Sequence, residues 1–169
     1  MRDGADAGAV VNGELDAAFT VGVPAAAALL ADVVLSDRYV VVARRRDPLA
    51  ERAVVRAADL AGLPLVAPPA GRHQVAVETM LGLEPVLARR VDDSGHVAGF
   101  VAAGLGYGLV PALGLTLPPQ LVALALDDPA AARPIAFVRR HEAELPERFE
   151  AAVFAVCRRR SAGALRAAG

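Results

Sequence analysis

Val97-Ala98-Gly99-Phe100-Val101-Ala102-Ala103-Gly104-Leu105-Gly106-Tyr107-Gly108-Leu109-Val110-Pro111 is the stretch on which the reading of this chain turns. Val97, Phe100 and Val101 recur at the spacing of one helix face. Gly104 stands where a helix closes in a left-handed cap, a conformation that glycine adopts without steric cost. Tyr107 to Val110 then resumes as a strand, and Pro111 ends it. Just upstream, Asp92-Asp93-Ser94-Gly95 supplies short polar side chains able to cap the free amides of a helix start. Val86 to Val91 before them reads as a strand. The whole is a strand, helix, strand unit, the signature of an α/β protein.

The same rhythm extends outward in both directions. Leu15 to Thr20, Tyr39 to Ala43 and Pro64 to Ala67 read as short buried strands, and Ala57 to Leu60 as a helical turn. Pro68, Pro69 and Gly71 open a loop before a helix over Gln74 to Leu81. Downstream, Leu121 to Leu126 and Pro134 to Val138 are two more strands, parted by Asp127-Asp128-Pro129. Pro146 suits the first turn of a last helix with Phe149, Val153, Val156 and Cys157 on one face, frayed beyond Ser161.

Composition limits what such a chain does. Its 169 residues, 55% hydrophobic and 22% charged, form one globular domain or two small lobes. A chain of this size buries about two thirds of its unfolded surface without a disulfide or metal staple. The lone Cys157 has no internal partner for a bridge. The apolar run from Val21 to Ala31 contains Gly22 and Pro24 and stops at Asp32, short of the roughly 20 residues of a membrane helix. With no leader-like segment either, a cytoplasmic location is expected. All 18 basic residues are arginine, balanced by 19 acidic ones to a net charge of −1. Nucleic-acid affinity rests on cations that displace counterions from phosphates, so no direct nucleic-acid binding is expected of this chain.

Several segments in order resemble the effector-binding domain of LysR-type transcriptional regulators. Gly13-Glu14-Leu15-Asp16-Ala17-Ala18-Phe19 is similar to the family's G-x-L-D-x-A-φ pattern. Tyr39 to Leu49 resembles its extended strand followed by H-P-L, with Asp47 in place of the histidine. Asp59 to Val66 resembles D-L-x-x-x-P-φ-φ, and Val97 to Pro111 the V-A-A-G-x-G-φ-x-φ-L-P core. Leu121 to Arg140 completes the match with two late strands. The resemblance implies a two-lobed fold like a type 2 periplasmic binding protein, with a small effector in the cleft between lobes. It places lobe I at 1–42 and 137–169 and lobe II at 43–136, joined by the strands Tyr39 to Ala43 and Pro134 to Val138. It also implies homodimerisation and DNA binding in full-length members. Their helix-turn-helix domain, and the first strand, helix and second strand of lobe I, have no counterpart in this sequence. The expectation is therefore an N-terminally truncated chain with an incomplete first lobe and impaired dimerisation.

Helix starts offer unpaired N–H groups and a favourable dipole to anions, which makes an anionic effector the expected ligand. The first such loop is Ala70-Gly71-Arg72-His73-Gln74: Gly71 permits close backbone approach and Arg72 is suited to a bidentate carboxylate pair. Gly71, Arg72 and His73 are equally the polar residues of any solvated loop before a helix. The second loop is Asp92, Asp93 and Ser94, where Ser94 either donates to a ligand or simply caps its helix. On the first lobe, Thr20 and Val21 end a strand that the resemblance places at the cleft, with Thr20 the hydrogen-bonding side chain there. Some members of the family carry an arginine at the position of Val21.

Other chemistries find less support. Asp92, Asp93 and His96 on one helix start are too few ligands for a metal, so no metal and no cofactor is expected. Gly104 to Gly108 follows a helix and leads into a strand, the reverse of a dinucleotide-binding turn. Ser94, His96 and Asp92 lie too close in sequence for a hydrolytic triad, and no G-x-S-x-G elbow is present. The arginine runs at 44–46 and 158–160 read as solvated charge at a strand end and a helix end. The leading expectation is a ligand-sensing module without catalytic activity. The alternatives are a solute-binding protein, or a lyase or dehydratase, of the same two-lobed fold.

Overall fold

The computed structural model describes residues 5–52, 54–68, 72–82, 87–91 and 94–167. The chain forms two compact units, Met1–Ser36 with Arg133–Gly169, and Asp37–Ala132. It passes from the first to the second within β2 (Leu29–Arg44) and returns at the start of β7 (Ala132–Arg140).

In the second unit, β3 (Leu65–Ala67), β4 (Leu87–Arg90) and β5 (Tyr107–Pro111) are joined by α2 (Arg72–Met80) and α3 (Ser94–Ala102). β3 pairs parallel with β4 on one side and with β5 on the other. β5 continues antiparallel onto β2, whose opposite edge takes β6 (Leu121–Ala125), also antiparallel. Parallel strands joined by helical crossovers need cover on both faces, and the residue parity supplies it. Tyr39, Val41, Leu65 and Leu109 pack on one face with Val77 of α2 and with Leu81 directly after it. Val42, Val66 and Val110 pack on the other with Val97 and Val101 of α3.

α3 ends as the glycine pattern predicts. Gly104 takes φ +81°, its N–H donates to Val101 O at 2.9 Å, and Leu105 N–H donates to Phe100 O at 3.1 Å. That pair of bonds is a Schellman cap. Gly108 serves close approach instead: a Cβ there would stand 2.7 Å from Val97 Cγ1 and 3.2 Å from Val42 Cβ. The absent side chain lets α3 lie directly on β5.

The start of β5 is fastened by Tyr107, whose hydroxyl donates to the Asp47 carboxylate, 2.9 and 3.0 Å from its two oxygens. Asp47 also accepts from Leu49 N at 2.9 Å, capping the 3-10 turn Pro48–Glu51. Here the residue that replaces the family's histidine has a structural use. Burial, together with the bond to Asp47, raises the Tyr107 pKa above the ordinary tyrosine value.

The first unit holds α1 (Ala5–Val11), β1 (Ala17–Val21), the first half of β2, most of β7, and α4 (Glu147–Ala167). β1 pairs antiparallel with β7, Thr20 opposite Ala136 and Val21 opposite Ile135. Alternation along β7 divides its side chains between two layers. Ala136 and Val138 join Val10 and Leu29 in one cluster. Phe137 meets Phe19, Phe149 and Phe154 at ring centroid distances of 5.5, 6.4 and 6.3 Å. The next two residues follow the same parity. Arg139 pairs with Glu150 of α4 at 2.7 Å, while Arg140 donates to Val10 O and Leu15 O at 2.8 and 3.0 Å, closing the end of α1.

Several details differ from the sequence reading. α2 begins at Arg72, not Gln74, so Arg72 and His73 open the helix instead of preceding it. β2 begins at Leu29, not Tyr39, because its first half is only partly buried and Asp32, Ser36 and Asp37 interrupt the apolar pattern. On α4 the packed positions are Val153, Phe154 and Cys157, whereas Phe149 and Val156 are each 47% exposed. The same helix continues to Ala167, past the point where fraying was expected.

Gly108→Ala is expected to destabilise the fold by about 1–3 kcal/mol, the usual cost of forcing an extra methyl into a filled core. Urea unfolding checks it, and an unchanged midpoint contradicts the packing described. The Tyr107 phenol, with its pKa raised in the folded state, contributes stability that is complete below the ordinary tyrosine value of about 10 and lost as pH rises through the folded value. Unfolding free energy should therefore fall in alkaline solution, and Tyr107→Phe should flatten that fall at a cost of about 1–2 kcal/mol near neutrality.

Candidate functional site

The parallel strands bring two helix starts to one edge of the second unit's sheet. Ala67 at the end of β3 is in register with Arg90 at the end of β4, and Val91 N–H donates to Ala67 O at 3.0 Å. α2 starts at Arg72, shortly after β3, and α3 at Ser94, shortly after β4. The connection through α2 leads from β3 outward to β4, and the one through α3 leads back past β3 to β5 on the opposite face. Where successive crossovers diverge in this way, the carboxyl ends of the strands and the amino ends of the helices frame a binding crevice. The positive dipole ends of the two helices there favour an anion.

A buried ion pair sits at this same edge. Glu78, on α2 and 1% exposed, is bound by Arg90, the last residue of β4. Arg90 Nη1 donates to Glu78 Oε1 at 3.2 Å and to Pro68 O at 3.3 Å, and Nη2 bonds Glu78 Oε2. Two parallel N–H donors on one carboxylate make a fork of defined geometry. The neighbouring Arg89 places its guanidinium 5.1 Å from the ring centroid of Phe100 on α3. Sequence reasoning missed Glu78 and Arg90. The available signal was an acidic residue next to Val77 on the core side of a helix, followed by arginine at a strand end.

The site residues expected from sequence fall into three groups. Arg72 and His73 are the first two residues of α2, and Ser94 is the first of α3, so the topology brings these positions to one sheet edge. Gly71, Asp92 and Asp93 lie outside the described residues. Thr20 and Val21 end β1 in the first unit. Thr20 is 5% exposed and its hydroxyl donates to Gly22 O at 2.9 Å, which leaves its lone pairs for any further partner. Val21 is half-buried.

An open concavity of about 410 Å³ occurs elsewhere on the second unit, lined by Arg52, Val54, Arg56, Asp59 and Asp127. Asp59 there accepts from Arg56 N–H at 2.9 Å and from Arg52 Nη1 at 2.5 Å. The Arg56 backbone bond and the Arg52 charge hold the Asp59 carboxyl below its ordinary pKa. No helix of the described residues is long and apolar enough to cross a membrane.

Comparison with known proteins accounts for this architecture. The LysR substrate binding domain family matches residues 5–160. The BenM effector binding domain, solved with its effector benzoate, is 25% identical at a TM-score of 0.79, over 96% of this chain and 76% of that one. The regulatory domain of CcmR from Synechocystis PCC6803, in complex with 2-PG, is 18% identical at 0.74, over 93% and 80%. Full-length CbnR complexed with its target DNA is 21% identical at 0.74, over 95% of this chain but 57% of that chain. No curated protein sequence matches. Matched from residue 5 to residue 160, the chain belongs to the LysR substrate binding domain family.

Proposed function

We propose that this chain senses a small anionic effector for a LysR-type transcriptional regulator and catalyses no reaction. The observation that carries the anionic reading is the convergence of two helix starts on one sheet edge, after the register-matched ends of β3 and β4. Their amides stabilise negative charge without an ionised side chain. The benzoate of the BenM domain and the 2-PG of the CcmR domain give this reading its precedent. Arg72, His73 and Ser94 are the proposed contacts of the second unit, with Gly71, Asp92 and Asp93 adjoining them in sequence; Thr20 and Val21 of β1 are the contacts proposed for the first unit.

The effector acts by differential affinity. A ligand that binds one conformation of the domain more tightly raises its population. Coupling of that shift to DNA belongs to a longer protein, as in full-length CbnR with its target DNA. A cytoplasmic location accords with this role and with the presence of a single cysteine.

The experiment is a thermal-shift and calorimetric titration with benzoate and a panel of small carboxylates and phosphorylated acids, beside neutral analogues of the same shape. At least one acid should raise the melting temperature, since a ligand at a hundred times its Kd adds about 2.7 kcal/mol of stability. Arg72→Ala should weaken that acid roughly tenfold or more, the loss typical of a hydrogen bond to a charged group. Preference for neutral analogues, or turnover of any panel member, would sink the proposal.

A further inference from the structure

We infer that the Glu78–Arg90 pair is a positioning device that sets the two ligand-side helix starts relative to each other. The inference rests on the reading of those helix starts as the effector's. One guanidinium ties three successive connections: it terminates β4, bonds the carbonyl of Pro68 directly after β3, and holds Glu78 on α2. Pro68 and Arg90 each stand four residues before a helix start, Arg72 of α2 and Ser94 of α3.

The chemistry of the pair favours geometry over stability as its contribution. Glu78 is 1% exposed, so its carboxylate has no ready access to bulk water in exchange for Arg90. Buried ion pairs add little net stability compared with well-packed apolar residues of similar volume, but removing one partner strands a charge. A bidentate fork with a third bond to a backbone carbonyl permits one arrangement of the elements it joins. The guanidinium charge of Arg90 is moreover matched by the Glu78 carboxylate. Arg90 acts through the helix starts and not as the effector's counter-ion.

Hydrogen exchange read by mass spectrometry on this chain tests the inference. The variants are Glu78→Gln, Arg90→Lys, and the apolar double substitution Glu78→Met with Arg90→Leu. The double variant should keep its melting temperature within a few degrees. Amides of α2 and α3 in it should nonetheless exchange at least about tenfold faster, while those of β6 and β7 keep wild-type rates. Unchanged exchange in α2 and α3, or acceleration spread evenly over all elements, overturns the positioning role. If the double variant fails to fold, Arg90→Lys decides the matter. It keeps the charge and loses the fork, so local acceleration supports the inference and wild-type exchange refutes it.

Benzoate titration of the wild-type chain separates this result from the effector reading. Absence of benzoate binding would count against that acid as ligand and leave the exchange data to judge the pair. Where benzoate binds, the double variant should bind it at least about tenfold more weakly, and equal affinity would refute positioning.

Discussion

Strands buried on both faces dictate most of what this chain does in space. Leu65 and Val66, adjacent in β3, point to opposite layers, as do Leu109 and Val110 in β5. Neither face tolerates water, so one crossover helix must lie on each. A parallel strand followed by a helix and a second parallel strand also fixes direction, because the helix must start where the strand ends. The two helix starts therefore reach the same sheet edge as a consequence of apolar burial, before any ligand is considered. The opposite edge has its own fastening in Tyr107, Asp47 and the capped turn at Pro48. One edge is closed by a neutral donor on a single carboxylate and the other by a charged fork, which is the stiffer arrangement and stands beside the candidate site.

Arginine is the other recurring device. The chain has no lysine, and several of its guanidinium groups bond backbone carbonyls. Arg140 closes α1 through Val10 and Leu15, Arg38 reaches Leu126 O at 3.2 Å, and Arg45 donates to Pro119 O at 2.9 Å. A core built from Ala, Val and Leu has few polar side chains with which to satisfy the ends of helices and strands. A planar group with five donors meets two or three carbonyls at once, where an ammonium acts as a point charge. The arginine run at 44–46, read from sequence as solvated charge, contains one such tie, since Arg45 joins the end of β2 to the residues before β6.

How far the sequence was legible follows from the range of each interaction. Gly104 announces its cap because φ > 0 is a local demand, and the spacing of Val97, Phe100 and Val101 announces α3 because burial is periodic. Ser94 at a helix start was legible from its short polar side chain, whereas Arg72 and His73, read as the loop before a helix at Gln74, themselves open α2. The first half of β2 was not, because its half-exposed residues alternate poorly. Phe154 displaced Val156 from the packed face of α4 because the partner ring, Phe137, selects the nearest aromatic, which helical periodicity alone does not show. Glu78 and Arg90 are 12 residues apart on different elements, and nothing local marks them as partners. Their pairing exists only once β3, α2 and β4 are in place.

Backbone and side chains accordingly divide the work of recognition. Helix-start amides recur wherever the β3–α2–β4–α3 unit recurs, and they favour negative charge without distinguishing one acid from another. That general attraction needs no conserved side chain, which is compatible with 25% identity to the benzoate-bound BenM domain at a TM-score of 0.79. Discrimination between acids must come from shape and from side-chain donors and acceptors held at fixed distances. A loop free to adjust would lose that discrimination, because it would fit each ligand by moving. The buried carboxylate of Glu78 opposes such movement, because Arg90 cannot swing away without breaking a charged fork in the interior. On the proposed reading, the amides supply the attraction for an anion and the ion pair supplies the fixed geometry that selection among anions requires.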